Sequence, residues 1–396
     1  MSTPKLWDAV GLDAGSSWTR CVICRLEGDS LRFLGCGAAP SEGWKKGMIA
    51  DQTAVSESAL AALREAERQA QVSVESAVAG LGASVRGANC RGPYDLGRVR
   101  TVEQRDVNRA VQRATRVHLP DGALILQMFP QDFVVDGHPG HRDPRKMIAG
   151  QIEANVHLVL ASQREQDCLV AAVNQAHMAV EETVFEGLAA SYAAVLPEDR
   201  REGAALLDIG AQSSELVVYY GDALQLATSL PVSGDHFTRD VSRGLCIAYE
   251  DAVNIKHEFG CAKADLTPEN SYVEVASRED REVPRKKLNF ILESRAVELF
   301  EIVQRELARV GMDGALMGGM FLSGGGACLD GLCEVAMDIL RCRVSQAMPV
   351  GIRDWPEELA NPAWTTAAGL AMYSAKLKSK HEMQKQTYGL LNKIMK

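Results

Sequence analysis

Residues 9–19 read AVGLDAGSSWT and residues 204–214 read AALLDIGAQSS, so one pattern occurs twice, with Asp208 lying 195 residues after Asp13. In each copy an apolar run ends at Asp-x-Gly, a polar turn follows, and a second apolar run returns. This order of residues predicts a β-hairpin at the same place in two similar halves of the chain.

The two turns have the composition of a phosphate site. Glycine lets backbone N–H groups approach an anion closely, and a turn with consecutive inward N–H groups cradles phosphate. An aspartate before such a turn is suited to hydrated Mg²⁺. One Asp-x-Gly turn alone is usually conformational, but two at matching positions favour a shared ligand. The candidate nucleotide ligands are Asp13, Gly15, Ser16, Ser17, Asp208, Gly210, Ala211, Gln212 and Ser213, with Asp13 and Asp208 also as candidate Mg²⁺ ligands.

A glycine run forms the third candidate element. Residues 320–327 read MFLSGGGA, which predicts a short strand, a turn, and then a helix over 329–340. Gly324, Gly325 and Gly326 place backbone N–H groups near a helix N-terminus, where a ribose or phosphate edge would bind. Taken alone, the run is equally well explained as a tight strand-to-helix turn. Together with the two hairpins it resembles the actin, heat-shock-chaperone and sugar-kinase superfamily, which implies a nucleotide cleft between two α/β lobes.

A fourth segment resembles the helix that lines the adenosine pocket of bacterial actins. Residues 250–256 read EDAVNIK, in which Lys256 matches that helix and Val253 stands where it has glutamate. Glu250 would have to substitute from the previous turn. An ordinary amphipathic helix with a solvated lysine explains the segment equally well.

Composition limits the classes of function. The chain has 396 residues, 46% hydrophobic and 24% charged, which predicts two or more domains. Its formal net charge of −9 argues against a nucleic-acid partner. The ten cysteines lack metal or disulfide spacing, and the pair Cys21 and Cys24 fits core positions of a strand, so a reducing cytoplasm is expected. We expect neither export nor a membrane span, since no basic-apolar leader and no run of about 18 apolar residues is present.

An insert in the first half narrows the superfamily. Residues 125–137 read ILQMFPQDFVVDG, residues 142–147 read RDPRKM and residues 152–158 read IEANVHL. These resemble the signature of the FtsA family, whose extra subdomain, 1C, lies at this place in the chain. We expect His157 in the last motif to be a packed core residue, since nothing nearby in the sequence supplies a metal set.

The resemblance implies an α/β, actin-like (ribonuclease H-like, duplicated) fold with two lobes. It adds an inserted α+β 1C subdomain of SHS2 type and a C-terminal amphipathic helix. The expected domains are 1A at 1–82, 1C at 83–161, the 1A return at 162–198, 2A at 199–245, 2B at 246–312, the second part of 2A with a return to 1A at 313–373, a flexible linker at 374–384, and a membrane-targeting helix at 385–396.

The C-terminal residues have the pattern of a membrane-surface helix. After Tyr373 the sequence is polar and basic, which predicts a flexible linker. The final residues then place Tyr388, Leu391, Ile394 and Met395 on one helical face beside lysines, a pattern suited to anionic lipid. The alternative is a tail helix docked on the protein's own core.

In function, the resemblance implies an ATP- and Mg²⁺-binding adaptor that polymerises and ties FtsZ filaments to the cytoplasmic face of the cell membrane at the division site. The C-terminal peptide of FtsZ would bind domain 2B, where Arg285, Arg295 and Glu298 match by position, and downstream division proteins would bind 1C. A solvated helix face explains those three residues as well.

Catalysis is expected to be slight. Glu186 is the candidate for positioning a hydrolytic water, which would give at most a weak ATPase. The second hairpin has Ala211 and Gln212 where the family has glycines, so ATP affinity or turnover is expected to differ. A PilM-like scaffold of a pilus or secretion machine is the alternative, and it generally lacks the lipid helix. A kinase or phosphatase lacks a recognisable acceptor-binding set here, and a folding chaperone would need a peptide-binding β-domain after residue 373.

Overall fold

The computed structural model describes residues 7–275 and 282–394, with side chains up to residue 380. Within it, the two predicted hairpins form the centres of two separate sheets. The first lobe has a six-stranded sheet in the order β11-β6-β1-β2-β3-β19. Its strands are β1 (Trp7–Ala14), β2 (Trp18–Glu27), β3 (Ser30–Pro40), β6 (Ser76–Leu81), β11 (Ala179–Phe185) and β19 (Ile352–Arg353), and a small hairpin beside it consists of β4 (Trp44–Lys45) and β5 (Met48–Ile49).

Helices cover both faces of this sheet, as its buried strands require. On one face α1 packs against β2 and β3, and on the other face α10 packs against β1 and α4. The approach of α10 is close, because a β-carbon on Gly11 would overlap the carbonyl oxygen of Ala367, and one on Gly369 would overlap that of Ala189. The helices of the first lobe are α1 (Gln52–Ala70), α3 (Gln163–Gln175), α4 (Glu186–Ala194) and α10 (Thr365–Ile394), and the short α5 (Pro197–Glu202) leads into the second lobe, where it lies beside β12 and β13.

The second lobe repeats the arrangement with a five-stranded sheet in the order β14-β13-β12-β17-β18. Four helices complete its core, and a short strand pair lies beside α8. The strands are β12 (Ala204–Ile209), β13 (Ser214–Tyr220), β14 (Ala223–Leu230), β15 (Tyr272–Glu274), β16 (Glu282–Pro284), β17 (Gly319–Ser323) and β18 (Val344–Gln346). The helices are α6 (Gly234–Leu245), α7 (Tyr249–Phe259), α8 (Arg285–Arg309) and α9 (Leu332–Leu340), with 3-10 turns at Ala264–Leu266, Gly325–Cys328, Glu357–Leu359 and Pro362–Trp364.

The insert forms its own small α+β unit between β6 and α3. One helix, α2 (Gln104–Ala114), packs on an antiparallel sheet of order β7-β10-β8-β9 around a separate apolar core. Its strands are β7 (Arg86–Thr101), β8 (Ala123–Val135), β9 (His138–His141) and β10 (Ile148–Ser162). His157 on β10 is buried, and its Nδ1 lies 2.5 Å from Asn89 Oδ1, so the expected packed role is confirmed.

One serine of the second lobe fastens the start of this insert. Ser229, on the edge strand β14, donates from Oγ to the carbonyl oxygen of Gly82 at 2.6 Å. The same Oγ accepts from Val85 N at 3.0 Å, and Ser229 N donates to Val85 O at 2.9 Å. The turn that leads from β6 into the insert is therefore bonded to the second lobe.

The C-terminal segment differs from the sequence prediction. The expected flexible linker at 374–384 is instead part of α10, which runs without a break from Thr365 to Ile394. Ser374 is fully buried and bonds Glu181, while Lys378 donates to the Asp8 carbonyl oxygen at 2.5 Å and pairs with Glu181 at 2.8 Å. The sequence contains no glycine or proline between residues 370 and 388, so nothing local ends the helix.

Two other sequence expectations concern contact with a membrane. The candidate lipid-binding side chains Tyr388, Leu391, Ile394 and Met395 lie outside the residues whose side chains the structure describes. No helix in the described part of the chain is both long and apolar enough to cross a bilayer.

Candidate functional site

A cleft of about 1050 Å³ lies between the two lobes. Both Asp-x-Gly turns and the glycine run open into it, because each follows the end of a central strand of its sheet. Of the residues predicted to contact nucleotide or to activate water, all but Gln212 line this cleft: Asp13, Gly15, Ser16, Ser17, Glu186, Asp208, Gly210, Ala211, Ser213, Lys256, Gly324, Gly325 and Gly326.

Gln212 instead joins the two hairpins across the cleft. Its backbone N–H donates to Ser16 Oγ at 3.1 Å, and its side-chain Oε1 accepts from Gly47 N at 2.9 Å. Gly47 belongs to the turn between β4 and β5, which also borders the cleft. The residue that replaces a family glycine thus links the second lobe to two points of the first.

The glycine run needs glycine for steric reasons. Gly324 has a φ of +82°, and a β-carbon there would overlap Asp208 Oδ1. A β-carbon on Gly326 would overlap the Ile209 side chain, whereas Gly325 faces open space. The run therefore brings backbone close to the second hairpin and leaves one glycine unobstructed toward the cleft.

Two cleft residues that the sequence reasoning missed occupy equivalent positions in the two hairpins. In β1–β2, Asp13 is directly opposite Arg20, and in β12–β13, Asp208 is directly opposite Glu215. Each partner lies seven residues after its aspartate, so the repeat itself carried the signal. Arg20 and Glu215 both line the cleft, which gives the duplicated site a basic residue on one side and an acidic one on the other.

Glu186 and Glu215 meet at the floor of the cleft. Glu186 is the first residue of α4, and a β-carbon on Gly82 would overlap its Oε2 and lie 2.8 Å from Glu215 Oε1. Glu215 is only 1% exposed, and its Oε1 has no hydrogen-bond partner among the described residues. A buried oxygen without a partner is costly to leave in that state, so this atom is suited to a cation or a bound water.

Four carboxyl groups of the cleft, of which Asp13, Asp208 and Glu215 are buried and Glu186 is half-buried, hold their protons more tightly than usual. Burial raises the pKa of Asp13 to about 7, with Arg20 opposing the shift and Asp208 adding to it. Burial also raises the pKa of Asp208, against hydrogen bonds from Thr366 and Ser323. The pKa values of Glu186 and Glu215 are raised well above their ordinary range, first by burial and then by the neighbouring carboxylates.

This donor set fits a hydrated Mg²⁺ bound together with phosphate. Within the described residues, no group of three His, Cys, Asp or Glu side chains is arranged to hold a metal ion by itself. Mg²⁺ usually keeps several waters and takes only one or two carboxylates together with substrate phosphates. Asp13 and Asp208, one from each lobe, would supply such a pair, and the ion would relieve the repulsion between them.

The stability of the nucleotide-free chain should fall as pH rises. Because the folded pKa of Asp13 is about 7 against an ordinary 3.8, the folded chain binds more protons than the unfolded chain in that interval, which lowers the free energy of unfolding toward neutral pH. We expect Tm to drop on the order of 5 °C between pH 5.5 and pH 8 in differential scanning fluorimetry. Saturating MgATP should reverse most of the drop.

Two variants test this assignment. Asp13→Asn should flatten the pH profile, whereas Asp143→Asn, in an exposed pair with Arg145, should leave the slope between these pH values unchanged. An identical slope in the wild type and Asp13→Asn would show that the cleft carboxylates do not set the profile.

Another part of the cleft is lined by residues of α7. Lys256 on α7 donates from Nζ to Thr238 Oγ1 at 2.8 Å, and burial lowers its pKa. Val253 lines the cleft beside it, while Glu250 is exposed and is not among the lining residues. The substitution of Glu250 for the family's glutamate is therefore not seen, and Lys256 alone represents that motif.

The predicted partner-binding residues lie on or beside α8, away from the cleft. Arg285 Nε donates to the Phe259 carbonyl oxygen at 2.7 Å, so this arginine is committed within the domain. Arg295 pairs with Asp240 at 2.6 Å and with Glu298. The outer face of α8 instead presents exposed Lys286, Lys287 and Phe290, which the sequence reasoning did not single out, although their i, i+4 spacing is visible in the sequence.

Comparison with known proteins places the chain in a family. Residues 205–369 match the family described as cell division protein FtsA, and residues 82–160 match the SHS2 domain inserted in FtsA. Cell division protein FtsA of Pseudomonas aeruginosa is 31% identical over 387 residues, which cover 96% of this chain and 90% of that protein. The chain belongs to the FtsA family of cell division proteins. The FtsA of Bacillus subtilis is 30% identical, with coverage of 93% and 83%.

Solved structures show the fold of this FtsA family member. The PilM-PilN type IV pilus biogenesis complex has a chain that aligns with a TM-score of 0.69 at 20% identity, covering 93% of this chain and 99% of that one. MreB5 of Spiroplasma citri bound to ADP aligns with a TM-score of 0.59 at 12% identity, covering 96% and 99%. The expected actin-like fold with an inserted SHS2 subdomain is confirmed.

Proposed function

We propose that this FtsA family member binds ATP with Mg²⁺ between its lobes and assembles into filaments that hold FtsZ at the cytoplasmic face of the membrane. The observation that carries the nucleotide part is the convergence of two phosphate-type hairpins and four carboxyl groups with raised pKa values on one cleft. MreB5 of Spiroplasma citri, a structural neighbour with this fold, has been solved both with ADP and with AMPPNP, which supports the choice of nucleotide.

Nucleotide binding would act mainly by joining the lobes. Phosphate oxygens would accept from the N–H groups of both turns, and Mg²⁺ would neutralise the charge between Asp13 and Asp208. Glu186 lies at the cleft floor, where a carboxylate can orient a water toward the terminal phosphate. We propose at most a slow hydrolysis, since the same floor is crowded by Glu215.

Self-association and recruitment are proposed from the family and the fold. The double helical filament of MamK, another actin-like protein, aligns with a TM-score of 0.53 at 12% identity. The 1C subdomain is a separate folded unit with its own core, so it can offer a surface to a neighbouring subunit or to downstream division proteins. Filament formation would strengthen a weak lipid anchor through multivalency.

For the FtsZ peptide we propose the outer face of α8. Phe290 is 64% exposed and lies one turn after Lys286, which pairs with Glu269, and beside the exposed Lys287, a combination suited to a peptide with apolar and acidic residues. Of the three positions matched by the family resemblance, Arg295 and Glu298 border this face, whereas Arg285 is occupied by its bond to Phe259.

Replacing Phe290 should weaken FtsZ binding with little effect on folding. We expect Phe290→Ser to raise the Kd for a fluorescent peptide of the FtsZ C-terminus at least about tenfold in anisotropy titrations. The reason is that an aromatic side chain that becomes buried in an interface contributes about 2 kcal/mol to binding. Met317→Ser removes a side chain that is 77% exposed elsewhere on the second lobe and should leave the Kd within about twofold. Equal Kd values for the wild type and both variants would exclude α8 as the peptide site.

A PilM-like scaffold is the second candidate, favoured by the structural alignment with the PilM-PilN complex. Such a protein would share the cleft and the insert but would not depend on lipid. Binding to anionic vesicles distinguishes the two candidates, since only the membrane anchor requires it.

A further inference from the structure

The exposed face of α2, continued by the residues just after it, is a row of four arginines, three of which have no acidic partner among the described residues. Its outward positions are glutamine, asparagine and arginine, and the only acidic residue of the helix, Asp106, is buried against Arg100. No carboxylate among the described residues pairs with the last three arginines of the row. The row consists of Arg105, Arg109, Arg113 and Arg116, of which Arg105 pairs with Glu103 at the helix start.

Two of these arginines are held in place by one tyrosine. The guanidinium carbons of Arg109 and Arg113 lie 5.9 Å and 5.0 Å from the centre of the Tyr94 ring. Arg109 also donates to Tyr94 Oη at 2.7 Å, and Arg113 donates to the Pro93 carbonyl oxygen at 2.9 Å. These contacts restrict the motion of both guanidinium groups and leave other N–H groups of each available to an anion. The side chains therefore lose less conformational entropy when an anion binds.

The charge of the insert contrasts with that of the whole protein. Residues 82–160 contain eleven arginines and lysines against eight aspartates and glutamates, whereas the full chain has a net charge of −9. A local basic surface on an acidic protein attracts acidic partners at close range, while the remainder repels a long polyanion. This contrast argues for a short acidic ligand and against a nucleic acid.

The length and polarity of the row define the partner further. Residues 105–113 span about 12 Å along α2, and Arg116 follows just after the helix ends at Ala114, so the row matches about four or five extended residues. A membrane-surface helix needs apolar side chains on its contact face, and the outward positions of α2 are all polar. We propose that the α2 face of 1C binds a short acidic segment of a partner protein through Arg109, Arg113 and Arg116, with Tyr94 positioning two of them.

This inference deepens the recruiting role proposed for 1C and rests on it. It states the chemistry of the recruited segment, which is a run of aspartate or glutamate residues in an extended peptide. Each carboxylate would accept hydrogen bonds from two N–H groups of one guanidinium, a geometry that arginine offers and lysine does not. The interaction requires neither lipid nor FtsZ, so it can fail while the membrane-anchoring function stands.

The test uses the full chain and a fluorescent octapeptide of glutamate, with an octapeptide of glutamine as the ligand control. Anisotropy titration at about 0.15 M salt should give binding to the glutamate peptide alone. Arg109→Gln with Arg113→Gln should raise the Kd at least about tenfold and lower the slope of log Kd against log salt. Arg109→Lys with Arg113→Lys keeps the charge and should still weaken binding severalfold, because the stacked fork is lost.

A matched control separates this site from net charge. Arg64 and Arg68 have the same i, i+4 spacing and are exposed on α1, so Arg64→Gln with Arg68→Gln removes the same charge outside 1C. This control should change the Kd less than about twofold. An equal loss in both double variants, or no binding of the wild type to the glutamate peptide, would overturn the proposal.

Two further ligands decide between classes of partner. A decameric uridine RNA and anionic vesicles are each titrated with the wild type and the Arg109/Arg113 glutamine variant, using a chain that ends at Ser379 for the vesicles. Binding of either at the same salt concentration that depends on these arginines as strongly as peptide binding does would assign the face to that ligand instead. Unchanged circular dichroism and Tm in every variant establish that the fold is retained.

Discussion

Asp208→Asn should lose MgATP affinity by at least about a hundredfold while the fold remains intact. Asp208 is buried at the end of β12, accepts a hydrogen bond from Thr366, and shares the cleft with three other carboxyl groups whose pKa values are raised. The asparagine keeps the size of the side chain but removes the charge that a hydrated Mg²⁺ would require. Isothermal titration with ATP in the presence of Mg²⁺ measures the loss.

The same titration in EDTA identifies the cause. Without Mg²⁺ the wild type should bind ATP weakly, because phosphate enters beside buried carboxylates, and Asp208→Asn should bind it equally well or better. The nucleotide-free variant should also have an equal or higher Tm than the wild type, since one repulsive charge is gone. Asp313→Asn, at an exposed site of the second lobe, is the matched control. A variant that binds MgATP as tightly as the wild type would remove Asp208 from the metal site.

Ending the chain after Ser379 should abolish sedimentation with anionic vesicles. The cut keeps the contacts of Ser374 and Lys378 with the first lobe and removes only residues beyond them. The lost segment contains the predicted lipid face of Tyr388, Leu391, Ile394 and Met395, and lysines beside it gain about 1 kcal/mol each near anionic lipid. We expect about half or more of the full chain in the pellet, more with ATP and Mg²⁺, and less than about a tenth of the shortened chain.

Single substitutions sharpen this experiment. Leu391→Glu should reduce pelleting nearly as far as truncation, whereas Gln386→Glu, which the helical spacing places opposite the apolar face, should have a smaller effect that reflects charge alone. Neutral vesicles should bind the full chain less than anionic ones. A full chain that stays in the supernatant under every condition would favour the PilM-like scaffold over the membrane anchor.

The sequence was sufficient where the signal is local. Each hairpin could be predicted because Asp-x-Gly marks the end of an apolar strand, and the repeat predicted that Asp13 and Asp208 lie in one site, the cleft that both line. Arg20 and Glu215 were missed because their role depends on strand register, which pairs each with its aspartate. The equal spacing of seven residues between each aspartate and its partner in the two hairpins is the sequence signal that predicts both pairs.

The errors arose where distant contacts decide the structure. The residues after Tyr373 look like a linker because they are polar, but Ser374 and Lys378 bond to Glu181 and Asp8, more than 190 residues away in sequence. The intramolecular bonds of Arg285 and Arg295 could not be predicted for the same reason, since their partners Phe259 and Asp240 come from other elements, and their role in partner binding stays a prediction. Burial of a polar side chain by a remote partner leaves no trace in local periodicity.

The hydrogen bonds of Ser229 connect the second lobe to the start of 1C. Gly82, which immediately precedes the insert, accepts the Ser229 hydroxyl hydrogen bond and lies so close to Glu186 and Glu215 that a β-carbon there would overlap Glu186 Oε2. A change in the spacing of the two lobes would therefore be transmitted through this residue to the start of 1C. We expect the orientation of 1C, and with it the proposed binding face on α2, to differ between the nucleotide-free and the nucleotide-bound chain.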